Sequence, residues 1–91
     1  MKDNIKNIRE KILDNLSILK NNLERCEEAG LEDLDETIYN EIITLEEETR
    51  ESDDFLEFSN IITNAQTIEN KIDSFYSSLG ISTIELNWPL I

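Results

Sequence analysis

Ninety-one residues, 38% of them hydrophobic and 32% charged, make one small domain with a thin core, able to bury about 60–65% of its unfolded surface. Twenty-one acids against eight bases give a net charge of −13, which repels nucleic acid and anionic membranes and attracts basic surfaces. Histidine is absent and Cys26 is the one cysteine, which excludes an intramolecular disulfide, a thiolate metal cluster, histidine-based catalytic triads and most zinc sites.

The chain opens with Met1-Lys2-Asp3-Asn4 and passes into an amphipathic pattern rather than a continuous apolar run, so neither a signal peptide nor a membrane span is expected, and a cytoplasmic location is. Ile5, Ile8, Ile12, Leu16, Leu19, Leu23 and Cys26 recur at steps of 3, 4, 4, 3, 4 and 3. That is one face of a long helix, expected near 3–29 and stopped by Gly30. Leu13 and Ile18 widen the stripe, which points to more than one packing neighbour and, with the thin core, to a homodimer. Six bases and four acids make residues 1–26 net +2.

The next stretch is different. Residues 27–57 hold fourteen acids and only Arg50, a net −13. Asp33 and Glu36 have capping-box spacing at the start of a second helix, expected over 33–51. Leu34, Ile38, Ile42 and Leu45 form its apolar stripe, an arc of about 80° at 100° per residue. Asp33, Glu36, Glu41, Glu47, Glu48 and Glu51 fall opposite that stripe, with Tyr39 and Ile43 on a flank.

Residues 46–54 pass without an apolar side chain, and a turn is expected around Ser52 and Asp53. A third helix, expected over 54–79, then starts at an Asp54 cap with Glu57 three residues on. Its stripe is Phe55, Phe58, Ile62, Ala65, Ile68, Ile72, Phe75 and Leu79, closed by Gly80. Ile84, Leu86, Trp88 and Leu90 alternate at period two and Pro89 bars a helix interior, so 81–91 is an extended apolar tail. The expectation is a single all-α domain over 1–91, an antiparallel three-helix bundle whose tail folds back over the helices.

Chemistry is conspicuous by its absence. The Glu-x-x-His pattern of carboxylate metal bundles, a phosphate-cradling glycine loop and a calcium loop are all missing from the sequence, so no cofactor, no metal and no enzymatic activity are expected. Carboxylates on the solvated side of a helix are also poor proton donors or acceptors at neutral pH.

The acidic block breaks a local rule. Glu27 and Glu28 near the end of the first helix, and Glu46, Glu47, Glu48 and Glu51 at the end of the second, sit where the helix dipole disfavours anions by ~0.3–1 kcal/mol each. Neighbouring like charges add to that cost. A solvated face that keeps a thin-cored domain dispersed accounts for part of this. Binding accounts for the rest: Glu32, Asp33, Glu36, Glu41, Glu47, Glu48, Glu51, Asp53 and Asp54 are the expected partner-binding residues, with Tyr39, Ile43 and Trp88 as a second contact. The partner is another protein with a basic surface, not nucleic acid and not a membrane.

In function this describes an acidic inhibitor that occupies a basic, nucleic-acid-holding groove, a nucleic-acid mimic in the manner of phage anti-restriction and anti-CRISPR proteins. The likeness is one of size and charge alone. Alternatives are a helical adaptor or secretion chaperone that binds through apolar faces, a toxin-neutralising immunity protein, and a purely structural dimeric bundle. Salt separates charge-driven binding from groove packing.

Overall fold

A computed structural model of the chain describes residues 2–28, 35–78, 80 and 86–89. Three helices follow in order, α1 (Lys2–Glu28), α2 (Asp35–Glu51) and α3 (Phe55–Ser78), and no strand occurs among the described residues. The expected features at Gly30, Glu32, Asp33, Leu34, Leu79, 81–85, Leu90 and Ile91 lie outside them. No helix among the described residues is long and apolar enough to cross a membrane.

With 27 residues and neither glycine nor proline, α1 extends about 40 Å at 1.5 Å per residue and sets the 44 Å long dimension of the molecule. Side-chain bonds between helices fix their directions. Arg9 reaches Thr49 and Ser52 while Lys20 reaches Glu46, so α1 and α2 run antiparallel. The Tyr76 hydroxyl donates to the Asn22 carbonyl near the far ends of α3 and α1, which makes those two helices parallel and completes an up-down-up bundle.

Ile12, Leu16, Leu19 and Leu23 of α1 meet Ile38, Ile42 and Leu45 of α2 in the core. Each such burial contributes ~1.5–3 kcal/mol. The width of the α1 stripe, which pointed to self-association, has a use within one chain: Ile18 packs against this same core. On α3 the buried set is Phe58, Ile61, Ile62, Ala65, Ile68, Ile72 and Tyr76. Two residues of the expected stripe are displaced: Phe55 is 38% exposed and Phe75 is only half-buried. The hydrophobic face of α3 is rotated so that Ile61 and Tyr76 point inward, and Tyr76 can be buried because its hydroxyl has an acceptor in Asn22.

α2 and α3 are separate helices, as expected, although no glycine or proline divides them. Residues 52–54 are non-helical because short polar side chains there compete for the backbone. Asp54 Oδ1 accepts the Leu56 N–H at 3.1 Å, an N-cap bond, and the Asp54 carbonyl accepts the first helical N–H, that of Phe58, at 3.0 Å. Glu57 departs from the expected capping box: its carboxylate accepts the Ser52 hydroxyl at 2.6 Å. Ser52 is itself 3% exposed and takes the Asp54 N–H at 3.4 Å. At the other end of α3, Gly80 has a φ of +73° and donates to the Ser77 carbonyl at 3.1 Å, the left-handed stop that glycine alone adopts without steric cost.

The tail folds back. Leu86 joins the core and Trp88 packs against it. Glu69 of α3 takes the Leu86 N–H at 3.3 Å and the Trp88 Nε1–H at 3.0 Å. Asn15 of α1 donates to the Asn87 carbonyl at 2.7 Å. Residues 86–89 therefore lie along the seam between α1 and α3.

Candidate functional site

The acidic residues of α2 and the following turn fall into three groups. The first is consumed inside the fold. Glu46 is 6% exposed and its carboxylate meets Lys20 Nζ at 3.0 Å. Asp53 is bound by the Arg9 guanidinium, although its side chain remains 83% exposed. The same guanidinium donates to the Ser52 carbonyl at 2.7 Å and the Thr49 carbonyl at 3.3 Å. Arg9 thereby supplies the positive charge that the C-terminal end of α2 lacks in its own sequence apart from Arg50. Of the glutamates set against the helix dipole, Glu46 alone is paired among the described residues, while Arg9 takes up two of the carbonyls at that end.

The second group faces outward. Glu47 is exposed and points away from the Ile38–Ile42–Leu45 stripe, as the helical wheel expects, while Glu51, also exposed, reaches the edge of the hollow described next. Asp54 is exposed as well, although one of its carboxylate oxygens serves as the α3 cap. Glu36 belongs to the first turn of α2, and its side chain lies outside the described residues.

The third group is a correction to the wheel. Glu41 and Glu48 do not stand opposite the core: at 100° per residue they fall about 60° and 80° from the centre of the stripe, on the flank where they line a groove between α2 and α3. Its volume is about 680 Å³, with Leu45 and Ile68 in its floor and Thr44, Asn64, Thr67 and Lys71 along its walls. A second hollow of about 460 Å³ shares Glu48 with it and is bounded by Glu48, Glu51, Glu57 and Asn60 over Ile61. Glu41, Glu47, Glu48 and Glu51 make no ion pair among the described residues, where Arg9–Asp53 and Lys20–Glu46 are the two found.

The expected second contact is divided. Tyr39 is 40% exposed and Ile43 half-buried on the same side of α2. Trp88 is half-buried, and its ring N–H donates to Glu69. A pair not foreseen lies at the start of α3: Phe55 and Leu56 are exposed, Leu56 by 67%, beside Asp53, Asp54 and Glu57. Their signal in the sequence was an apolar doublet directly after the cap, where a helix has only begun to turn its face inward.

Arg9 and Lys20 were also missed. They are eleven positions apart, three helical turns, and so share one line along α1. Glu46 and Asp53 are seven apart, two turns, on the helix and turn that pack against it. No group of three or more acidic or thiol side chains among the described residues is placed to hold a metal ion. Comparison with protein families, curated proteins and solved structures finds no match to this chain.

Proposed function

We propose that this chain is an acidic protein-binding antagonist that covers a basic surface of another protein, a surface of the kind that holds nucleic acid. The observation that carries this reading is the sorting of the acids. After α1 has neutralised Glu46 and Asp53, a run of exposed carboxylates, Glu41, Glu47, Glu48 and Glu51, remains on α2 without an ion pair among the described residues. One helical turn is ~5.4 Å, so carboxylates spaced by a turn approach the charge spacing of a nucleic-acid backbone. Exposed Phe55 and Leu56 at the adjoining turn add an apolar anchor beside the charge, the composition that concentrates binding energy in protein interfaces. The tail, by contrast, is used internally, which weighs against its being a peptide offered to a partner.

The test is the triple variant Glu47→Lys, Glu48→Lys, Glu51→Lys. Each reversal changes the charge by two, so the net charge moves from −13 to −7, and attraction to a basic surface becomes repulsion over the reversed stretch. Proteins captured by wild type and by the triple variant are compared by mass spectrometry. The partner retained only by wild type is then titrated at rising salt and against duplex DNA and RNA. The expected result is loss of binding by roughly a hundredfold, mainly through slower association, with nucleic acid competing. Normal binding by the triple variant, together with loss of binding in a folded Trp88→Ala variant, would assign function to the apolar tail and make the acidic face a dispersing surface only.

A further inference from the structure

A three-helix bundle has three seams, and in this molecule two are closed. The α1/α2 seam is bridged by Arg9 to the Thr49 and Ser52 carbonyls and by Lys20 to Glu46. The α1/α3 seam is covered by residues 86–89, held by Glu69 and Asn15. Among the described residues the α2/α3 seam is open along a trough formed by two hollows of about 680 and 460 Å³ that share Glu48. Its floor is apolar, from Leu45, Ile61 and Ile68, and its lips carry Glu41, Glu48, Glu51 and Glu57 against the single cation Lys71.

We propose that this trough, rather than the outward row at Glu47, is where the chain receives its partner, and that the occupant is a lysine- or arginine-rich amphipathic segment of that partner lying along the α2/α3 seam as a fourth helix. Charge decides the occupant: four carboxylates to one ammonium along the lips select a basic segment, and the narrow apolar floor selects one with an apolar stripe. From Thr37 to Glu51 α2 lines the trough for about 21 Å at 1.5 Å per residue, enough for roughly four turns of a docked helix, the groove-binding mode of amphipathic segments. The inference rests on the acidic-antagonist reading and gives it a location.

The experiment uses the whole chain, ¹⁵N-labelled, and a synthetic helical peptide of leucine and lysine about 18 residues long, with a leucine–glutamate peptide as control. Backbone amide shifts are followed by NMR during titration. The expected result is salt-sensitive binding of the lysine peptide alone, with the largest shifts at Thr44, Asn64, Thr67 and Lys71. Affinity should fall several-fold in Glu48→Gln and in Thr44→Trp, which fills the trough without changing charge, and by less than half as much in Glu47→Gln. Salt-sensitive binding whose shifts centre on Glu47 and Asp54, with Thr44→Trp unaffected, would overturn the trough and leave the antagonist reading standing. Binding of both peptides alike, or of neither at low salt, would overturn both. Trough shifts that appear with protein concentration alone would overturn the foreign occupant in favour of a second copy of the chain.

Discussion

Replacing Arg9 by methionine isolates what one side chain of α1 contributes to the end of α2. Methionine keeps most of the aliphatic stem and its packing and removes the guanidinium. Three interactions are lost. The bond to the Ser52 carbonyl at 2.7 Å has a charged donor, a class worth ~1.5–3 kcal/mol. The bond to the Thr49 carbonyl at 3.3 Å is long and adds about 0.5 kcal/mol. The ion pair with Asp53, whose side chain is 83% exposed, is screened and adds no more than ~0.5 kcal/mol. Arg9 is itself 26% exposed, so water re-solvates part of what is freed, and the expected net loss is about 2 kcal/mol. For a domain of this size that lowers Tm by roughly 8–16 °C, followed by far-ultraviolet circular dichroism with a urea titration alongside. Asp53→Asn alone should lower stability by less than ~0.5 kcal/mol, and Arg9→Lys should recover less than half of the loss, because an ammonium cannot reach two carbonyls in a fixed fork. A loss below ~0.5 kcal/mol in Arg9→Met, or equal damage from Asp53→Asn, would refute the claim that Arg9 acts by capping α2.

Neighbouring glutamates should behave oppositely: Glu46→Ala strands Lys20 and lowers stability by about 1–2 kcal/mol, a partly exposed pair being worth less than a buried one, while Glu47→Ala is neutral within ~0.5 kcal/mol; equal effects in urea titrations would contradict the internal placement of Glu46. Asp54→Ala should cost about 1 kcal/mol through loss of the α3 cap, and an unchanged Tm would show the cap to be dispensable. Trp88→Ala should cost about 2 kcal/mol, less than the ~3–5 kcal/mol of a fully buried tryptophan, and Trp88→Phe about 1 kcal/mol through the lost bond to Glu69; an Ala variant as stable as wild type would mean that the tail does not dock. The triple reversal at Glu47, Glu48 and Glu51 should keep or slightly raise Tm, since cations suit a helix C-terminus, and unfolding of that variant would assign those residues a structural role.

Helices were the most legible part of the fold. Steps of three and four locate Ile12 to Leu23 and Ile38 to Leu45 on inward faces without reference to anything else in the chain. Periodicity, however, gives only a face, and the neighbour decides how that face is turned. Phe55 and Phe75 fit the α3 stripe as well as Ile61 and Tyr76 do, and the choice falls to which side chains find space and, for Tyr76, an acceptor on α1. The same holds for the acids. A wheel separates Glu41 and Glu48 from the core but cannot tell a solvent-facing flank from the wall of a groove with α3. Interactions across sequence separations of 40 or more, such as Arg9 with Ser52, depend on the register between helices, which is set by the whole core. Short-range chemistry fared better: the Asp54 cap was readable, while the turn to Ser52 taken by Glu57 was not, because it depends on where the preceding helix stops.

The docking of the tail joins positions 72 residues apart in the chain, Asn15 and Asn87, and that separation has a kinetic meaning. Closing a loop grows costlier with its length, and this one is rewarded only once α1 and α3 lie side by side to form the seam that receives it. The contacts of Leu86 and Trp88 are therefore expected to be the last native contacts to form and the first to be released. Trp88 is the sole tryptophan, so its fluorescence records arrival at the finished structure while circular dichroism records the helices. A lag between the two signals in a refolding experiment would measure the time the chain spends as an assembled bundle whose tail has yet to close over it.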